Sequence, residues 1–249
     1  MLRYLITAGS ENIAHYVIQI LLCVPIIFFS LSLHETAHGY VAYRMGDPTA
    51  KNLGRLTLNP IKHLDPIGFL CMLLAGFGWA KPVPINSRNF KKPRYGIALT
   101  SFAGPASNLI LAFIFILITR FSISPLVKMT ATAISDGNTV VASLLFYLCL
   151  LLYLAAQLNL TLAVFNLIPI PPLDGSKILY MFLPANVYFK IAPYERYISI
   201  AFMILLATGV ISPILGTVTD FLMNVMFGIL GISADEVLSA IGYLSMFIG

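Results

Sequence analysis

Residues 28–40 read FFSLSLHETAHGY: an apolar helix that ends, with no loop between, in a histidine, a glutamate and another histidine. Residues 16–33 carry no charge, and the helical pattern continues to Arg44. About 20 apolar residues are enough to span a bilayer. Pro25 lies within this run, and membrane helices tolerate such a kink. The rest of the chain agrees with a membrane reading. Of its 249 residues, 59% are apolar and only 10% are charged, against about 25% charged in a soluble domain. Mean hydropathy is +0.89. The net charge of +5 marks cytoplasmic loops, not a nucleic-acid surface, because no Arg/Lys run stands on a soluble domain.

His34, Glu35 and His38 form H-E-x-x-H. Positions i and i+4 of a helix share a face, so both imidazoles can reach one metal ion. Glu35 lies to the side, where it can touch a water on that metal without being a ligand. A zinc hydrolase needs this arrangement. Zinc acidifies the water and the carboxylate takes its proton. The chain has four histidines and four glutamates, and three of those eight fall within this pentapeptide. Ionisable groups are costly in a membrane helix and usually functional, which favours a site over a stray surface match.

A catalytic zinc site has three protein ligands and an open position. The longer pattern with a third histidine fails, because Val41 and Arg44 stand where it needs a glycine and a histidine. His63 and Asp65 are near in sequence but lie in a basic loop. Asp174 is favoured. It follows the uncharged run 138–173 and sits in a proline-forced turn with Gly175. The alternative is that Asp174 caps the short helix after it. Asn108 in GPASN and Asn166 in FNLIP are polar positions in apolar spans. Either could donate to an oxyanion or hold a substrate backbone, and either could bond a neighbouring helix.

Working outward, spans are expected at 97–119, 141–167 and 197–219, besides the first. Residues 66–80 are apolar but short, which predicts a re-entrant or interfacial segment. Residues 55–59 alternate polar and apolar, as a short strand does. Residues 81–94 are basic and extended, because Pro82 and Pro84 oppose helix. A loop is expected at 120–138. The tail has two further apolar pieces, 221–234 and 237–249. Cys23, Cys71 and Cys149 fit no CxxC pattern and read as buried thiols. The N-terminal stretch is too short and polar for a cleavable signal. The whole is read as one membrane domain over 1–249, with the motifs in about 12–183 and C-terminal membrane helices in about 194–249.

With the N-terminus outside, loops 44–63, 81–94 and 169–196 face the cytoplasm. They hold 4, 5 and 3 of the 15 Lys/Arg, against two in 120–140. The positive-inside rule supports this orientation. It brings His38 and Asp174 to the same side.

HETAHGY in one membrane helix, GPASN in the next and NLIPIPPLDG at the end of another together resemble the site-2 proteases, intramembrane zinc metalloproteases. GRLTLNPIKHLDPIG and GFGWAKPVPIN resemble a compact prokaryotic branch of that family. The match covers roughly residues 32–183. The resemblance implies an all-α polytopic bundle with a re-entrant segment and short membrane-associated strands. It implies one Zn2+ per chain on His34, His38 and Asp174, near the cytoplasmic face of a prokaryotic cell membrane. Glu35 matches the catalytic base, and Asn108 and Asn166 match positions tied to the active site and substrate. The implied reaction is hydrolysis of a peptide bond in or near a transmembrane segment, so the partners are a membrane-protein substrate and lipid. These 249 residues leave no room for the PDZ or CBS domains of some members. The rival readings are a metal transporter and a non-catalytic zinc scaffold.

Overall fold

One helix, α1 (Ser10–Arg44), carries the whole H-E-x-x-H pentapeptide. A computed structural model describes residues 10–75 and 78–245 of the chain; the N-terminal stretch 1–9 and parts of the 66–80 and 237–249 segments lie outside the described residues. All regular structure among the described residues is helical. Short helices α2 (Thr49–Asn52), α3 (Pro60–His63) and α4 (Pro66–Ala75) follow α1. Then come an extended segment, a 3-10 turn at Ser87–Asn89 (a second lies at Ala192–Tyr194), and the long helices α5 (Pro93–Ser135) and α6 (Thr139–Leu167). After a proline-rich turn come α7 (Asp174–Phe182), α8 (Ala185–Ile191), α9 (Glu195–Ala207), α10 (Ile211–Ile229) and α11 (Ala234–Ser245).

Four helices among the described residues are long and apolar enough to cross a membrane: Ile20–Arg44, Pro93–Ser135, Thr139–Leu167 and Ile211–Ile229. The first three match the expected spans. The fourth does not. The expected span 197–219 is broken where Gly209 takes φ +76° and its N–H donates to the Leu206 carbonyl at 3.0 Å. Only glycine enters that backbone region at no steric cost. The 13-residue α9 is about 20 Å long, too short to span, and the spanning stretch moves to α10.

Two further expectations are corrected. The loop at 120–138 is helical as far as Ser135. Its Ile123 and Ala133 are buried, so tertiary packing keeps the helix going past Pro125. At 43 residues, α5 is about 65 Å long, roughly twice the hydrocarbon thickness. The strand expected at 55–59 does not form. The Thr57 carbonyl, which a ladder would use, accepts from Thr36 Oγ1 at 2.7 Å and from His63 Nε2 at 2.7 Å.

The chain divides into two compact units, each treated by itself. Met1–Asn108 with Leu162–Leu215 holds every candidate site residue. Within it α1 packs on α4 through Phe28 and Phe69, ring centroids 5.1 Å apart. The chain leaves at His63 and returns at Lys81, whose N–H donates to the His63 carbonyl at 2.8 Å. The second unit, Leu109–Thr161 with Gly216–Gly249, has an apolar core that includes Ile116, Phe146, Tyr153, Met223, Phe227 and Leu244. Arg120 Nε donates to the Leu230 carbonyl at 2.9 Å, satisfying a free carbonyl just past the end of α10.

Candidate metal and catalytic centre

The helical spacing of His34 and His38 sets the two rings edge to face, with centroids 4.5 Å apart. Their Nε2 atoms lie 2.9 Å apart. Asp174 Oδ2 completes a triangle, 3.2 Å from His34 Nε2 and 3.1 Å from His38 Nε2. All three residues are buried.

Local sequence explains how Asp174 gets there. Residues 168–173 form tight turns, with Ile170 N–H on the Ile168 carbonyl at 2.8 Å and Leu173 N–H on the Ile170 carbonyl at 3.0 Å. Asp174 is then the first residue of α7, and Leu173 holds the cap position. The Asp174 side chain therefore serves the histidines instead of capping its helix. Gly175 lets the turn close: a Cβ there would sit 2.3 Å from the Leu167 carbonyl oxygen. Burial alone would raise the Asp174 carboxyl. The neighbouring His34 and His38 outweigh burial and hold it well below the ordinary carboxylate range.

A stripe at four-residue spacing on α5 supports both rings. The Thr100 carbonyl accepts from His38 Nδ1 at 2.6 Å. Gly104 clears space, since a Cβ there would lie 2.4 Å from His38 Nε2 and 2.6 Å from His34 Cε1. Asn108, fully buried, brings its amide nitrogen 3.1 Å from His34 Nδ1. Glu35 faces the extended segment, where the Val83 N–H donates to its Oε2 at 2.8 Å.

That segment is tied down along its length. Arg55 donates from one guanidinium nitrogen to the carbonyls of Lys81 at 2.8 Å and Pro82 at 3.3 Å. Asp47, with 0% exposure, accepts from Asn86 N–H at 2.7 Å and Asn89 Nδ2 at 2.7 Å. It also accepts from Thr49 N–H at 3.1 Å and from the Thr49 hydroxyl. Burial would raise its carboxyl, but these hydrogen bonds prevail and lower it.

The structure thus gathers His34, His38, Asp174 and Asn108, with Glu35 beside them on α1. Asn166 bonds its own helix, donating from Nδ2 to the Leu162 carbonyl at 2.9 Å. The other two ligand candidates are engaged elsewhere: His63 Nε2 donates to Thr57, and Asp65 Oδ1 accepts from Gly68 N–H at 2.8 Å. Sequence reasoning missed Thr100, Val83 and Asp47. Thr100 and Val83 act through backbone atoms, which leave no residue-type signature. The four-residue spacing of Thr100, Gly104 and Asn108 was the one available signal.

The donor set fits zinc. Two ligands at about 2.0–2.1 Å from a tetrahedral zinc lie about 3.3 Å apart, close to the three separations here. Nitrogen and carboxylate donors suit that ion.

The model of peptidase family M50 matches residues 22–212. The chain belongs to this family. The M50 chain, a site-2 protease homologue, is 48% identical over 184 residues to "Putative zinc metalloprotease YwhC" of Bacillus subtilis (strain 168), covering 73% of this chain and 78% of that one. It is 30% identical over 208 residues to "Putative zinc metalloprotease Rip2" of Mycolicibacterium smegmatis, covering 82% and 73%. No solved structure matches the chain. The M50 match and the four apolar helices make the protein an integral membrane zinc metalloprotease homologue.

Proposed function

We propose that this M50 chain is an intramembrane metallopeptidase that hydrolyses peptide bonds within or near transmembrane segments of membrane-protein substrates. The observation that carries the reading is the buried triangle of His34 Nε2, His38 Nε2 and Asp174 Oδ2, built at the end of a spanning helix with a glutamate beside it. His34, His38 and Asp174 hold one zinc ion. When bound, zinc supplies Lewis-acid polarisation of water and of the scissile carbonyl.

The protein's own residues do the rest. Glu35 takes a proton from the attacking water and returns it to the leaving amine nitrogen. The Val83 N–H holds one of its carboxylate oxygens and directs the other toward the reacting water. A helical substrate hides its carbonyls in hydrogen bonds and must unwind before attack. The extended stretch 81–86 offers an unwound substrate little free edge: Pro82 and Pro84 have no N–H, and Arg55, Glu35, His63 and Asp47 hold the neighbouring groups. That leaves the extended stretch around Leu56 and Leu58 as the better edge for an unwound substrate. Asn108 is enclosed, so polar contact with the substrate passes to the half-buried Asn166. The excursion from His63 to Lys81 is re-entrant, and the centre lies near the cytoplasmic face of a prokaryotic membrane, where the basic loops gather.

The test compares new protein termini in native membranes from cells with wild-type protein and with Glu35→Gln. Termini inside or beside spans that disappear with Glu35→Gln establish the proteolysis. Identical termini, with the protein well expressed, favour the scaffold or transporter readings, and zinc flux into vesicles then separates those two.

A further inference from the structure

His34 and His38 are supported differently, and the difference has a chemical meaning. The partner of His38 Nδ1 is a backbone carbonyl, Thr100. A carbonyl can only accept. His38 therefore carries its proton on Nδ1 and presents a bare Nε2. The partner of His34 Nδ1 is the amide of Asn108, which can present either a donor or an acceptor.

With Nδ2 toward His34, as the structure has it, the amide donates to Nδ1. His34 must then be protonated on Nε2. Its Nε2–H points to the 2.9 Å neighbour His38 Nε2 and the 3.2 Å neighbour Asp174 Oδ2. The donors run from Asn108 to His34, His34 to His38 and His38 to Thr100, which leaves the bare His38 Nε2 facing Asp174 Oδ2 across 3.1 Å, two acceptors side by side. In this arrangement His34 cannot ligate a metal, because the coordinating nitrogen bears a proton.

A half-turn of the Asn108 amide exchanges Oδ1 and Nδ2 without moving any other atom. It reverses the demand on His34: Nδ1–H donates to Oδ1, and Nε2 is bare. The turn breaks no hydrogen bond at Asn108 Oδ1, which is buried with no hydrogen-bond partner. Asn108 is also fully enclosed, so water does not substitute for the amide.

We propose that Asn108 is a positioning residue for the metal centre: it presents Oδ1 to His34 Nδ1, sets the tautomer that ligates, and its amide rotation couples metal loading to that tautomer. The inference rests on the reading of His34 as a zinc ligand. It assigns Asn108 the task that carboxylates and carbonyls usually perform behind ligating histidines.

The test uses full-length protein in detergent. Wild type, Asn108→Asp, Asn108→Leu and Asn108→Ala are equilibrated with graded chelator, and retained zinc is measured by elemental analysis. His34→Ala sets the floor, and circular dichroism melts confirm folding. A carboxylate accepts and does not donate, so Asn108→Asp keeps zinc at least as well as wild type. Asn108→Leu and Asn108→Ala release it at about 10–100-fold lower chelator. The proposal is overturned if Asn108→Asp releases zinc as readily as the apolar variants, or if those variants hold it like wild type. A folded wild type that holds no zinc overturns this proposal and the zinc reading together. Failure of the Asn108 series with a zinc-loaded wild type overturns this proposal alone.

Discussion

The backbone N–H of Val83 donates to Glu35 Oε2 across 2.8 Å, so a proline-flanked segment 48 positions further along the chain fixes the orientation of the candidate general base. The contact uses a main-chain donor that side-chain substitution does not remove. Proline at position 83 does remove it. A hydrogen bond to a charged group contributes about 1.5–3 kcal/mol. Val83→Pro should therefore lower kcat by about 10–100-fold with zinc content unchanged, while Val83→Ala, which keeps the N–H, stays near wild type. Equal activity in the two variants would show that the contact does not position Glu35.

Gly104 is where α5 passes the histidines. Gly104→Ala puts a methyl group 2.4 Å from His38 Nε2, closer than any non-bonded contact allows. One ring or the helix must shift, and the ligand triangle opens. Zinc content after dialysis should fall well below one ion per chain, while the melting temperature of the rest of the fold changes little. Full zinc retention would refute the packing argument.

Metal removal should be reversible. A chelator such as 1,10-phenanthroline abolishes cleavage of whichever membrane substrate the terminus comparison identifies, and added zinc restores it. Cleavage that persists after elemental analysis shows the metal gone would exclude the proposed chemistry.

Asp47 predicts an acid dependence of stability. Its carboxyl is lowered in the folded protein because hydrogen bonds from Thr49, Asn86 and Asn89 outweigh burial. A folded-state value below the unfolded one means the carboxylate stabilises fully above the unfolded value of about 3.9. That stabilisation is lost as pH falls through the folded value. Asp47→Asn should cost about 2–3 kcal/mol at pH 7, where several donors lose a charged acceptor. The difference in melting temperature between wild type and Asp47→Asn should shrink below about pH 4. A gap that stays constant on acidification would show that charge plays no part in the clamp.

Much of the site was legible because its chemistry lies in residue types. H-E-x-x-H on an apolar helix, and an aspartate ending a long uncharged run, point to one place without coordinates. The first three spans were legible because their apolar runs are long. What sequence hid depends on backbone and packing. The Thr100 carbonyl and the Val83 N–H belong to every residue type alike. Period-2 alternation at 55–59 predicts a strand, but side chains of Thr36 and His63 take the Thr57 carbonyl first. The break at Gly209 depends on a single positive φ within an apolar run, which hydropathy averages over. The continuation of α5 past residue 119 follows from burial of Ile123 and Ala133, a tertiary fact.

The ligand triangle is built from residues far apart in synthesis order. His34 and His38 leave the ribosome first, the supporting stripe Thr100–Gly104–Asn108 later, and Asp174 only after α6 is complete. A nascent chain holding only the first helix carries the H-E-x-x-H pentapeptide but not Asp174. Full capture of the ion must wait until the third long helix has been translated and folded back. On the proposed reading of His34, His38 and Asp174 as zinc ligands, hydrolytic capacity is therefore withheld from unfinished chains during membrane insertion.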